Sequence, residues 1–535
     1  MSGPGLYEKV LGAVAAGAAL PRARIKASAS VVPWRRRGDA LEVFWVERSP
    51  ELAFMGGWFA FPGGGRSRAD AEVEMNGAPT GADLGPPDGG MPAGVLAGIE
   101  LESVLAGGIA ATALRELFEE TGVLPLRSAA PGFDREADRH RLLAGETAFP
   151  ALVAAHRLDL DLERLVYAGR WLTPPLGPVR FDNRFFLLEW PVDEAPQPRV
   201  VPGELASGEW IEPGEARRRW REEGILAAPP ILHFLRVLEE EGLPGGLERL
   251  RSPVETNLGP HRRIEFRPHV LLFPLPTPTL PPAAHTNAYV VGRERAVLVD
   301  PGAPDPAVID GLVAAIRRLE SSPEGPRVTE IWLTHHHPDH VGGVERARSR
   351  LGLPVCAHRL TGERLAARGI ALDRELADGE RLRHGPGPED LLRVVHTPGH
   401  ARGHLVFLEE SGGSLVAGDL VAGIGTIVID PPEGDMTDYL ASLEKAAALA
   451  PTTLFPAHGP TIRDARGKLA EYARHRAWRE DRIEDAWRDG IHETGPLLDR
   501  VYDDVEPIAR PLAARQLEAH LIRLRALGRI DGGDA

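Results

Sequence analysis

Directly after an apolar stretch at 330–333 the chain reads Thr334-His335-His336-His337-Pro338-Asp339-His340. No other passage restricts the fold as much. His335, His337, Asp339 and His340 fall within six residues just past an expected strand end. Backbone order at such an end holds side chains rigidly, while the loop leaves room for a substrate. In an extended turn residues two apart point the same way, so His335 and His337 can share one ion. Asp339 and His340 can reach a second, and His336 and Pro338 point away. The single cysteine, Cys356, excludes an intrachain disulfide and thiolate clusters, so a metal site here must use His, Asp or Glu. Imidazole with carboxylate suits zinc, iron or manganese.

One cluster cannot complete two sites, and the chain supplies partners downstream. His400 follows an expected strand at 391–395, Asp419 one at 414–417, and His458 one at 452–455. Each strand delivers one ligand at its C-terminal end. Seven ligands on one sheet edge is what a two-metal hydrolytic site requires. Around them, strands at 270–273, 288–291 and 296–299 and a helix at 306–319 keep alternating, which indicates layered α/β architecture.

This set of motifs, with Val299-Asp300-Pro301-Gly302, resembles the metallo-β-lactamase fold superfamily over essentially all of 263–466. The resemblance implies an αββα sandwich and a two-metal hydrolase, with two Zn2+ or Fe/Mn. It implies that His335, His337 and His400 hold one ion, that Asp339, His340 and His458 hold the other, and that Asp419 bridges them. It further implies a metal-bound hydroxide as nucleophile, with Asp339 in the catalytic machinery and Asp300 orienting a ligand. His396 and His404 are left outside the ligand set. Thr286-Asn287-Ala288-Tyr289, Gly423-Ile424-Gly425-Thr426 and His458-Gly459-Pro460 resemble the β-lactamase-like group typified by a mitochondrial single-strand endoribonuclease. That likeness implies a C-terminal winged helix at 469–535, with helices at 471–489, 496–502 and 513–527. Residues 516–521 take the recognition-helix position there, and Arg515, Arg523, Arg525 and Arg529 make it locally positive. We read this helix as a solvated face packing beside the active site. The substrate is then a small ester or thioester, such as an acyl-coenzyme A, or a short single-stranded RNA.

A second constellation lies nearer the N-terminus. An expected helix at 113–120, stopped at Gly122, carries Glu116, Glu119 and Glu120 at i, i+3 and i+4, so the three carboxylates share one face. Such crowding calls for a cation, and oxygen ligands favour Mg2+ or Mn2+. Arg115-Glu116-Leu117-Phe118-Glu119-Glu120-Thr121-Gly122-Val123, after Phe61-Pro62-Gly63-Gly64, resembles the Nudix box. The first half departs: 51 positions separate Gly64 from Arg115, and counting back from Arg115 puts the family's earlier Glu on Gly107. A long insertion of this kind, with Phe54-Met55-Gly56-Gly57 and residues 180–186, resembles the peroxisomal coenzyme A diphosphatase type. The resemblance implies a Nudix α/β/α sandwich over 25–243 that hydrolyses a nucleoside diphosphate derivative. Glu119 and Glu120 are catalytic there, Glu116, Glu119 and Glu120 hold the metal, and the Gly64 carbonyl joins them. Arg115 orients a glutamate, and Glu204 is an extra ligand or base. A nucleotide sensor without turnover is the other reading of this unit.

At 535 residues the chain has length for roughly three or four domains. With 43% apolar and 26% charged residues it is an ordinary globular composition, which excludes wholesale disorder. The net charge of −15 argues against non-specific binding to long nucleic acid, which needs clustered positive charge. No apolar run reaches the roughly 18 residues that span a bilayer. The stretch 10–20 reads as an N-terminal helix rather than a secretory segment, and the lack of disulfides points to the cytoplasm. The Gly/Pro-rich passage 66–105 reads as an inserted loop, and 243–262 as a linker.

Overall fold

The computed structural model describes residues 25–52, 55–73, 106–174, 180–252, 264–280, 282–322, 325–505 and 507–531. The expected N-terminal helix at 10–20 and most of the insertion lie outside these residues. Two compact units divide at Pro268/His269. No described helix is long and apolar enough to cross a membrane.

The first unit is built on a mixed seven-stranded sheet whose central strand is Ile25–Arg37. That strand runs parallel to Arg180–Glu189 and antiparallel to Ala40–Arg48 and Gly63–Gly65. Successive residues point to opposite faces. Val31, Phe186 and Leu188 therefore enter one core with Leu114, Leu117 and Phe118 of the helix Ala106–Thr121. Val32, Phe185 and Leu187 enter the other with Phe234, Leu235 and Leu238 of the helix Pro229–Glu241. Burial on both faces makes this an α/β/α sandwich. The glutamate helix begins at Ala106, two turns before the expected 113. Ile109, Ala110 and Ala111 are buried, so tertiary packing overrides the glycine-rich start. It ends at Gly122, whose φ of +74° needs no Cβ and whose N–H bonds the Phe118 carbonyl at 2.9 Å.

The second unit stacks two sheets. Val270–Pro276, His285–Val291, Arg295–Val299, Arg327–Trp332, Val355–Ala357 and Arg374–Glu375 neighbour one another in chain order, antiparallel at first and then parallel. The other sheet runs Arg381–Arg383, Leu391–His396, Leu405–Glu409, Ser414–Gly418 and Thr453–Pro456. Tyr289 meets Phe455 edge-on at 5.9 Å and Trp332 meets Phe407 at 5.1 Å, filling the space between the sheets. Outside, Pro306–Ser321 and Val344–Leu351 cover the first sheet, and Met436–Ala448 and Ala465–Arg488 cover the second. This is an αββα sandwich.

The chain ends in the helices Ala465–Arg488, Thr494–Val501 and Arg510–Ala526, which share a core of Ile483, Leu497, Val501, Leu517, Leu521 and Leu524. These helices are compatible with a winged helix. No strand that would form its wing occurs among the described residues after Pro456. The expected recognition helix packs one face beside the metal cluster and leaves the other, with Glu518, Ile522 and Arg525, exposed. Gln516, Leu517 and His520 are buried, and Arg523 and Arg529 turn inward to the buried Glu480 at 2.7 and 2.9 Å.

Candidate metal centres

All seven side chains expected at the strand ends of the second unit converge. His335, His337, His400 and Asp419 each present a ligand atom within 4.8 Å of one another, and so do Asp339, His340 and His458. Asp419 joins the two groups. Its Oδ2 lies 3.4 Å from His400 Nε2, while its Oδ1 lies 3.5 Å from His340 Nε2 and 3.3 Å from His458 Nε2. Gly418 makes this possible: at φ +49°, a Cβ there would sit 2.7 Å from His404 Nε2, so only glycine turns the strand end and throws Asp419 inward.

The residues present fit divalent cations. His337 Nδ1 faces His335 Nε2 at 2.9 Å and His400 Nε2 at 3.0 Å. Three ring nitrogens at such distances cannot all be satisfied by protons, because each neutral imidazole has one donor. Asp339 Oδ1, His340 Nε2 and Asp419 Oδ1 are buried with no hydrogen-bond partner. Buried polar atoms left unpaired are costly, and a cation between them removes that cost. Burial and the neighbouring His340 and His337 rings hold His335 neutral, well below the usual imidazole range, as a ligand must be. Burial opposes ionisation of Asp419, but His458 and His340 outweigh it and hold its carboxyl well below the usual range.

The rings are aimed from behind. His400 Nδ1 donates to the Val428 carbonyl at 2.7 Å and His458 Nδ1 to the His285 carbonyl at 3.1 Å, which turns each Nε2 towards the cluster. Asp300 accepts from Thr334 N at 2.8 Å, from Thr334 Oγ1 at 2.6 Å and from His340 Nδ1 at 2.8 Å. It lies at φ +49°, a backbone region that Asn tolerates as well as Asp. Asp300→Asn is therefore expected to fold and to weaken metal affinity about 10- to 100-fold, read by competition with a chelator. An unchanged affinity would show that Asp300 does not control the ring.

His404 lies outside both groups, as expected. It is fully buried nevertheless: Nδ1 meets Thr397 Oγ1 at 2.8 Å, and Nε2 accepts the Asp419 amide at 3.0 Å. It fixes the backbone that carries the shared carboxylate. His396 instead stacks on His358 at 4.2 Å. His336 is in neither group and lines a cavity of about 610 Å3, whose wall also includes His337, His400, Asp419 and His458.

In the first unit, Gly64 lies against the glutamate helix so closely that a Cβ would stand 2.5 Å from Glu116 Oε1. Gly63 N donates to Glu120 Oε2 at 2.8 Å. Burial, with Arg115 opposing it, pushes Glu116 up to about 7. Burial and Glu116 push Glu120 well above the carboxylate range. Three carboxyls that burial holds back from ionising form a donor set suited to a hard cation. They do not close into a group within 4.8 Å, and Arg115 Nη1 pairs with both Glu116 at 2.9 Å and Glu119 at 2.8 Å. Glu204 is largely exposed, 3.5 Å from Arg48, and its charge is felt by all three glutamates.

The acid that counting placed at Gly107 is supplied by Asp70. Asp70 is wholly buried and accepts from Arg115 Nε at 2.9 Å, Arg115 Nη2 at 3.1 Å, Thr112 Oγ1 at 2.9 Å and Ser67 N at 2.8 Å. It sits six positions after Gly64. Counting forward from the glycine, rather than back across the insertion, finds it.

Comparison with known proteins agrees with this geometry. The profile of the metallo-beta-lactamase superfamily matches residues 281–458, and that of the NUDT19 Nudix domain matches residues 14–238. A beta-lactamase-like protein 2 homolog of Drosophila melanogaster is 32% identical over 254 residues, 46% of this chain and 84% of that protein. An atrochrysone carboxyl ACP thioesterase of Aspergillus fumigatus is 30% identical over 213 residues, 39% of this chain and 46% of that one. A crystal structure of a Nudix hydrolase from Alicyclobacillus acidocaldarius is 26% identical and covers 45% of this chain and 100% of its own, with a TM-score of 0.33. The chain is thus a metal-dependent hydrolase that belongs to the metallo-beta-lactamase superfamily and carries a Nudix domain ahead of the metallo-beta-lactamase domain.

Proposed function

We propose that the second unit hydrolyses a small ester or thioester at a pair of zinc ions, or iron or manganese in their place. His335, His337 and His400 would hold one ion, Asp339, His340 and His458 would hold the other, and Asp419 would serve both. The observation that carries this reading is the convergence of seven ligand side chains around buried, unpartnered atoms. Bound there, the cations supply Lewis acidity and an acidified water. The chain's own residues do the rest. Asp300, Val428 and His285 each accept from the Nδ1 of His340, His400 and His458, so that Nε2 is the ring atom left to face a cation. His404 fixes Asp419. Asp339 would face a cation with Oδ1, which has no hydrogen-bond partner, and its Oδ2, 3.4 Å from Thr286 Oγ1, would accept the proton of the attacking water. The thioesterase named among the relatives supports a thioester; a single-strand endoribonuclease is the competing reading.

For the first unit we propose that Glu116, Glu119 and Glu120 hold Mg2+ or Mn2+ and that a nucleoside diphosphate derivative, such as coenzyme A, is cleaved. We place this domain at 25–243, the hydrolase at 263–466 and the C-terminal helices at 469–535. Two measurements test the whole reading. Metal analysis of the folded protein should find transition metal at about two ions per chain, and its absence would end the two-metal reading. With Mg2+, wild type should turn over diphosphate derivatives and Glu119→Gln should lose that turnover. Binding without turnover in the wild type makes the unit a nucleotide sensor.

A further inference from the structure

The cavity beside the metal cluster carries more information about the substrate than the cluster does. Its remaining wall is largely apolar. Tyr502, Val505, Leu512 and Ala513 come from the C-terminal segment, and Ile424 and Ile427 from the loop after Asp419. The same wall contains four arginines, and all four are already engaged. Arg479 pairs with Asp504 at 2.8 Å and lies over the Tyr502 ring at 4.4 Å. Arg515 pairs with Asp430 and with the Pro431 carbonyl. Arg476 donates to the Ile427 carbonyl at 2.6 Å and lies over Tyr439 at 5.4 Å. Arg368 donates to the His336 carbonyl at 3.2 Å. A single-stranded nucleic acid needs the opposite: a groove of available cations that tracks its phosphates, and several aromatic platforms for its bases. Among the described residues of this wall Tyr502 is the one phenyl or indole ring, and Arg479 lies over one of its faces.

We infer that the C-terminal helices form an acyl wall: the substrate is an ester or thioester whose apolar acyl chain lies against Tyr502, Val505 and Leu512. This deepens the hydrolase reading above and rests on it. Water adds across the acyl C–S or C–O bond. Its oxygen bonds to the acyl carbon, the thiol or alcohol leaves with a proton, and nothing is oxidised or reduced. Arg476 and Gln516 tie the wall to the cluster's own loop. Both donate to the Ile427 carbonyl, and Gln516 Oε1 accepts from Ile429 N at 3.3 Å.

The test uses the metal-loaded full chain and the series acetyl-, butyryl- and octanoyl-coenzyme A, beside a single-stranded oligoribonucleotide. Burying a methylene is worth about fourfold in affinity, so kcat/KM is expected to rise at least about tenfold from acetyl to octanoyl. Leu512→Trp fills the cavity and should flatten the series, costing octanoyl about tenfold more than acetyl. Val505→Trp, on a separate segment, should do the same, so misfolding of one variant leaves the test intact. A flat or falling series in wild type, variants that cost all chain lengths equally, or faster cleavage of the oligoribonucleotide would each overturn the acyl wall. Failure to hydrolyse any thioester or ester, with metal bound, would instead overturn the hydrolase reading beneath it.

Discussion

His335→Ala is expected to abolish hydrolysis at the second unit, lowering kcat/KM by about a thousandfold or more, since the metal pair supplies several kcal/mol to the transition state. His335 is fully buried, its Nε2 2.9 Å from His337 Nδ1 and its ring 4.1 Å from that of His340, so no neighbour can take over its donor. The same change should also lower the stability of the metal-free protein, because it removes a wholly buried ring and its hydrogen bond to Thr334 Oγ1 at 3.0 Å. Added zinc should raise the unfolding temperature of wild type and not of the variant, since ligands stabilise only the state that binds them. Metal content, turnover and unfolding with and without zinc read all three. A variant that keeps two ions and full turnover would remove His335 from the ligand set.

Asp70→Ala should be the most damaging change in the first unit. Removing one partner of a buried ion pair strands the other charge and costs about 3–5 kcal/mol. Arg115 would lose its two bonds to Asp70 while still facing Glu116, Glu119 and the Gly65 carbonyl. The first unit's unfolding transition should fall well below that of wild type, and diphosphate turnover should fall with it. A shift of under about 1 kcal/mol, the range of exposed pairs, would mean that the clamp holds nothing. Asp70→Glu, which restores the family's longer acid, tests whether geometry or charge is needed.

These two residues also mark where reading the chain alone succeeds and where it stops. His335 and its companions are legible because each sits at the end of an apolar strand, and strand ends are local features. The strands expected at 391–395, 414–417 and 452–455 form as Leu391–His396, Ser414–Gly418 and Thr453–Pro456. Asp70 escapes a count taken back from Arg115, because 45 positions of insertion separate the two; the signal that survives is its distance forward from Gly64. His404 gives no periodic signal: its role, holding the Asp419 amide, depends on two strands meeting. Tyr502, Val505 and Leu512 look like ordinary core residues of a small helical segment. Only the folded chain brings them to the rim of the metal cluster.

Asp419 divides its two oxygens between the groups, one towards His400 and one towards His340 and His458. A carboxylate shared in this way cannot be tuned for one side alone. Asp419 would serve both ions, so a change at this one side chain would disturb both sites together and neither alone.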